Sequence, residues 1–189
     1  MRENTLATVL QCPRFFYIVF HYFTDFKAAQ SVDIIGFNKY YSWYDDTGHL
    51  ELIKQQMEQK ILGWKERFPE KPLMITEYGG DTIAGMHTLP AFVFSEDYQF
   101  ELMKMHFKAF DAAREKGFGF IGEMIWNFAD FMTKQEITRV GGNKKGIFTR
   151  QRQPKAAAHL LRRRYFHLAE TLDNVNSENG ESEDVFCPL

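Results

Sequence analysis

The chain has 189 residues, 44% of them apolar and 25% charged, with a formal net charge of −2. That balance excludes a nucleic-acid binder of the usual basic kind, and 19 Phe, 8 Tyr and 3 Trp exclude disorder over most of the length. The longest apolar run, Phe15–Phe20, falls far short of the roughly 20 residues a bilayer-spanning helix needs, and Cys12 and Cys187 give neither a disulfide framework nor a zinc-ligand spacing.

Arg14 abuts the run Phe15–Phe20, but the bulky His21, Tyr22 and Phe23 follow where a secretory signal has small residues. No clear signal peptide results, and the segment reads as a buried strand or an irregular amino-terminal piece. Val32–Phe37 reads as a buried strand closed by the polar and aromatic stretch Asn38–Tyr44, and Asp45-Asp-Thr-Gly48 is turn chemistry. Leu50, Ile53, Met57, Ile61, Trp64 and Phe68 recur at intervals of three or four, which predicts an amphipathic helix stopped by Pro69 and Pro72. A second strand, Pro72–Thr76, runs into Glu77-Tyr-Gly-Gly80. After a loop from Asp81 to Phe94, Ser95 is a plausible N-cap, with Glu96 and Asp97 where the helix dipole favours acids. Phe100, Met103, Phe107 and Phe110 form the buried stripe of that helix, and Gly117 suits its C′ position. A third strand, Phe118–Trp126, gives way to a long loop, Asn127–Gly146, and Ile147-Phe148 reads as a short extended piece. Pro154 at the first helical position opens a last helix to about Glu170. Its inward residues are expected to be Ala157, Leu160, Leu161, Tyr165 and Leu168, with Arg162, Arg163 and Arg164 on the solvated face. The acidic tail, 171–189, is expected to be disordered.

Strand and helix thus alternate three times, and continuous apolar strands argue for a parallel sheet. Three units make either a small open α/β sheet or the end of a (β/α)8 barrel, which needs eight units and about 250 residues. In both architectures ligands bind at the carboxyl ends of the strands, where the polar residues of this sequence gather. Glu77, directly after a buried strand, is either a salt-bridged strand-end acid or a used one. Glu123, inside the third strand, reads as a structural acid paired with Arg or Lys. Arg139, Asn143, Lys144 and Lys145 lie in a Gly-containing loop at the same end and suit an anionic ligand. Tyr40, Tyr41, Trp43, Tyr44 and Trp126 are able to stack on a sugar ring, although such residues often simply pack. The six His residues show no metal-ligand spacing.

Asn38-Lys-Tyr-Tyr-Ser-Trp-Tyr44, Thr76-Glu-Tyr-Gly79, Trp126-Asn-Phe-Ala-Asp-Phe131 and the run from Arg139 to Lys155 resemble the carboxy-terminal part of the β-glucuronidases, family 2 glycoside hydrolases. The resemblance covers 30–170 and leaves 1–29 unmatched. It implies a partial (β/α)8 TIM barrel, about the last three βα units, carrying the sixth to eighth strands. It implies Glu77 as catalytic nucleophile and Tyr40 as the tyrosine that positions it. Asn38, Tyr44, Trp126, Arg139, Asn143 and Lys145 then bind the substrate, with the Asn143-x-Lys145 pair gripping the glucuronate carboxylate. It also implies hydrolysis of terminal β-glucuronosyl bonds of conjugates and glycosaminoglycans, no cofactor and no metal, a homotetramer in the complete enzyme, and a lysosomal setting. No nucleic-acid or membrane partner is expected. A retaining glycosidase needs a second carboxyl group about 5–5.5 Å from the nucleophile. In the family it belongs to an Asn-Glu-Pro motif, which this sequence lacks. The alternative expectation is therefore an inactive fragment or splice product that binds sugar acids or full-length subunits.

Overall fold

The computed structural model of the chain describes residues 8–12, 15–20, 29–136 and 139–173. Among these the elements are β1 (Thr8–Cys12), β2 (Phe15–Phe20), β3 (Ile34–Asn38), α1 (Ile53–Lys65), β4 (Leu73–Glu77), α2 (Glu96–Glu115), β5 (Phe120–Glu123) and α3 (Ala156–Asp173). A 3-10 turn at Leu50–Leu52 leads into α1. The strands form one sheet in the order β1-β2-β3-β4-β5. β2 to β5 are parallel, and β1 pairs with β2 antiparallel. The architecture is thus a partial α/β barrel wall, with Phe15–Phe20 as a strand of the same parallel sheet.

The helix stripes read from the sequence supply the core. Ile53, Met57, Ile61 and Trp64 of α1 are fully buried, as are Ile35, Phe37, Leu73 and Ile75 of the sheet. All belong to one cluster with Leu102, Met103, Phe110, Ala157 and Leu161. Each such side chain contributes roughly 1.5–3 kcal/mol relative to exposure, so this layer fixes the register of the strands whose ends carry the polar residues. Ser95 caps α2 as expected, its hydroxyl accepting from Tyr98 N at 3.0 Å. Gly117 follows α2 with a φ of +68°, the left-handed conformation a C′ glycine supplies without a Cβ clash.

Three expectations are corrected. The third strand is shorter than Phe118–Trp126: it covers Phe120–Glu123, and Gly119 just before it has a φ of +63°, outside the extended range of a strand. α3 begins at Ala156, with Pro154 outside it, and its first turn is fixed from elsewhere, Ala156 N donating to Glu96 Oε2 at 2.7 Å. On α3, Arg164 is 8% exposed and Tyr165 41% exposed, the reverse of the expected facing. The stripe runs Ala157, Leu161, Arg164, which keeps the helical spacing of four and three, and the guanidinium is buried because acids meet it there. Arg164 donates to Glu123 Oε1 and Oε2 at 2.9 Å each and to both oxygens of Asp111 at 2.6 and 2.9 Å. Arg114 also pairs with Glu123 at 2.9 Å, so Glu123 is the structural acid the sequence suggested. Thr171, Leu172 and Asp173 continue α3, and the tail from 174 to 189 lies outside the described residues.

Candidate active site

The parallel register sets the carboxyl ends of β3 and β4 side by side, with Asn38 paired to Glu77. Lys39 N donates to Glu77 O at 2.9 Å, and the Thr76 hydroxyl donates to Asn38 Oδ1 at 2.6 Å. One residue further, the Tyr40 hydroxyl donates to Glu77 Oε2 at 2.6 Å. Burial, reinforced by the Glu77 carboxylate, holds the Tyr40 phenol well above its ordinary pKa, so Tyr40 keeps its proton and stays a donor. Behind this strand end, Tyr98 receives Gly48 N at 2.9 Å and donates to Ser42 O at 2.6 Å, which pins the aromatic stretch in place.

The turn after Glu77 requires glycine. Gly79 has a φ of +147°, and a Cβ there would lie 2.5 Å from Trp126 O. The same close approach lets Trp126 N donate to Tyr78 O at 2.8 Å, which seats Trp126 beside the turn. The following Asn127 N donates to Lys145 O at 3.1 Å, so the loop after β5 and the basic loop are tied together.

Lys145 is the centre of the second half of the site. Its side chain is fully buried, and its ammonium pairs with Asp81 Oδ2. It also lies over the rings of Tyr44, Trp43 and Tyr40, at 4.9, 5.1 and 5.6 Å from their centroids. Arg139 donates to the Tyr44 hydroxyl at 2.7 Å and reaches Asp81 at 3.5 Å. Burial opposes the charge on Arg139, but Tyr44 and Asp81 outweigh it and raise its pKa. Asn143 is buried, and its Oδ1 accepts from Lys145 N at 3.0 Å. Behind these, Lys155 Nζ donates to Asp130 Oδ1 at 2.9 Å, Lys144 O at 3.1 Å and Thr82 O at 3.5 Å, clamping the loop after β4 to two points of the loop after β5 with one ammonium. Burial lowers the Lys155 pKa and raises that of Asp130, each resisted by the other's charge.

Of the residues singled out from the sequence, Tyr40 and Glu77 meet directly, and so do Tyr44, Arg139 and Lys145. The ammonium of Lys145 over the Tyr40 ring joins the two groups. Asn143, Asn38 and Trp126 border this cluster through the bonds given above. Tyr41 is a packing residue, buried with its hydroxyl on Gln56 O at 3.0 Å, whereas Tyr44 is 52% exposed. Sequence reasoning missed Asp81, Asp130 and Lys155. The available signal for Asp81 was an acid just past a Gly-Gly turn at a strand end, four positions from Glu77. Among the described residues no group of three or more His, Cys, Asp or Glu is placed to hold a metal ion, and no helix is long and apolar enough to cross a membrane.

A family model described as glycosyl hydrolases family 2, TIM barrel domain, matches residues 18–170. The chain is 53% identical over 143 residues to the β-glucuronidase of Homo sapiens, covering 76% of this chain and 22% of that enzyme. It is 51% identical over 144 residues to the β-glucuronidase of Paenibacillus borealis, covering 76% of this chain and 23% of that enzyme. The solved β-D-glucuronidase of Dictyoglomus thermophilum superposes with a TM-score of 0.71 at 45% identity, over 79% of this chain and 25% of that one. That of Faecalibacterium prausnitzii gives 0.72 at 39% identity, over 80% and 24%. The chain spans about a quarter of the length of these relatives. A match over most of its length, with a parallel sheet carrying a tyrosine-held carboxylate, places the chain in the family 2 glycosyl hydrolases, within their TIM barrel domain.

Proposed function

We propose that this chain carries the nucleophile half of a retaining glycosidase site selective for terminal β-glucuronides, on small conjugates or glycosaminoglycans. The supporting observation is the Tyr40–Glu77 hydrogen bond at the end of β4, joined by the Tyr40 ring to the buried ammonium of Lys145. Tyr40 occupies Glu77 Oε2, which leaves Oε1 to attack the anomeric carbon. The bond from that carbon to the leaving oxygen breaks as the carboxylate forms a glycosyl ester, which water then hydrolyses. Lys145, Arg139 and the Asn143 backbone segment bind the sugar carboxylate, since two cations on a Gly-containing loop suit a planar anion. Trp126 and Tyr44 flank the ring, and Asn38 contacts its hydroxyls. The proton for the leaving oxygen belongs to a second carboxyl group, the Glu of the family's Asn-Glu-Pro motif, which is not in this sequence. The whole enzyme is read as a homotetramer in a lysosomal setting, using no cofactor.

The test is covalent trapping. A 2-deoxy-2-fluoro-glucuronosyl fluoride should add one glycosyl mass to the chain, and peptide mapping should find it on Glu77. Labelling at another residue refutes the nucleophile assignment. The missing Asn-Glu-Pro favours one second reading, a sugar-acid-binding fragment without catalysis. An aryl glucuronide with an activated leaving group separates the two, because it hardly needs the general acid, whose share is typically 10²–10⁴-fold. Turnover abolished by Glu77→Gln supports the enzymatic reading, binding without turnover supports the second, and turnover that survives Glu77→Gln sinks both.

A further inference from the structure

We infer that Asp81 is the positioning residue of the carboxylate-reading pocket, and that through Lys145 and Arg139 it sets the preference for a uronate over the neutral hexose. The inference rests on the glucuronide reading above and goes one step past it. Asp81 follows the Gly79-Gly80 turn, so β4 delivers both Glu77 and the acid that arranges the cations. Its two oxygens draw the 139–146 loop onto that turn at three points. Oδ2 takes the ammonium of Lys145 and, at 3.5 Å, the guanidinium of Arg139, and Oδ1 takes Lys144 N at 2.6 Å. Among the described residues Asp81 is the one carboxylate paired with Lys145, which is fully buried under three aromatic rings.

Charge counting explains why one acid is the right number. Two cations held together in a water-poor pocket repel each other, and a buried ammonium without a counter-charge is costly. Asp81 offsets both effects, yet it leaves two positive charges against its single negative one. An ammonium has three donors, and ring faces attract it without accepting a conventional hydrogen bond. A sugar carboxylate supplies the missing charge and the missing acceptors together. A second fixed acid would neutralise the pocket and remove its attraction for the ligand, whereas no acid would leave the cations unplaced. A neutral hexose offers neither charge nor carboxylate oxygens, so its binding is predicted to be indifferent to Asp81.

The experiment titrates D-glucuronate and D-glucose into the full 189-residue chain, followed by amide chemical shifts, for the wild type and for Asp81→Asn. The wild type should prefer glucuronate. Asp81→Asn should weaken glucuronate at least tenfold and leave glucose within twofold. In a Lys145→Met background Asp81→Asn should cost clearly less than it does in the wild type, since the ammonium is gone and Arg139 is the one cationic side chain it still positions. Asp81→Glu, which keeps the charge but displaces it, should fall between wild type and Asn, and it carries the test if Asp81→Asn does not fold. The inference is overturned by an unchanged glucuronate-to-glucose ratio in either variant, by equal loss of both sugars, or by additivity with Lys145→Met. A wild type without preference for glucuronate refutes the functional reading itself, and the inference falls with it. A wild type that prefers glucuronate beside an indifferent Asp81 variant refutes the inference alone.

Discussion

Two ion clusters with buried members stand at this sheet, one behind β5 and one at the carboxyl end of β4, and they are built to opposite rules. Behind β5, Arg164 and Arg114 face Glu123 and Asp111, two cations against two acids. Arg164 spends its donors in a bidentate fork on each carboxylate, so the set is closed and balanced. At the carboxyl end of β4, Lys145 and Arg139 share the acid Asp81, and the Lys145 ammonium also lies over three aromatic faces. Each place joins buried members to a more exposed one, Asp111 in the first and Arg139 in the second. What separates them is closure: a balanced cluster has nothing left to bind, while an unbalanced one holds its cations ready for an anion.

The largest effect should come from opening the closed cluster. Arg164→Met leaves Glu123 buried with only Arg114, and losing one partner of a buried pair typically costs about 3–5 kcal/mol. Urea denaturation should show that loss at unchanged m-value. Arg164→Met with Glu123→Leu should recover part of it, because no unpaired carboxylate then remains. A single variant within about 1 kcal/mol of wild type would mean that the cluster is not a structural staple.

His106 sharpens the comparison by showing a third solution, in which charge is avoided. It is fully buried, stacked on Tyr78 and Tyr41, and its Nδ1 donates to Leu102 O at 2.9 Å. Burial pushes its pKa down from 6.5 to about 4. The unfolded chain therefore takes up a proton near pH 6.5 that the folded chain refuses until about pH 4. Stability is complete above 6.5 and falls as the pH drops through that window, by roughly 3 kcal/mol in all. His106→Phe, which preserves the stacking, should flatten this part of the stability curve. Equal slopes for variant and wild type between pH 7 and 4.5 would overturn the assignment.

The legibility of these regions in the sequence follows from what periodicity can carry. The stripes of α1 and α2 were readable because apolar residues at helical spacing have few alternatives to burial. Arg164 was misplaced because an Arg-Arg-Arg run reads as solvated, although the spacing from Ala157 and Leu161 already put it on the inner stripe. Only the acids on α2 and β5, distant in sequence, make that position habitable. Glu77 was legible as a carboxylate at a strand end, and Tyr40 and Lys145 through their motifs. Asp81 was not, because its importance comes from contacts 58 and 64 residues away that no local pattern encodes. The start of α3 escaped for the same reason, being fixed by Glu96 rather than by its own flanking residues.

The smallest effect on stability is expected at the residue most exposed to loss of function. Lys145→Met keeps the stem of the side chain under Tyr40, Trp43 and Tyr44 and removes the charge. Asp81 is not orphaned, because Arg139 and Lys144 N remain on it. The mutual repulsion of the two cations disappears, and so does the desolvation of a fully buried ammonium. These gains offset the lost ion pair, so denaturation midpoints should correspond to a change of less than about 1 kcal/mol, of either sign. Glucuronate binding should weaken at least tenfold all the same, since the excess charge that attracts it has gone. A loss near that of Arg164→Met would mean that the Lys145 cluster is a second structural staple, and the contrast between the two clusters would be gone. Unchanged stability with unchanged glucuronate binding would leave the contrast in closure standing but remove the ligand from it.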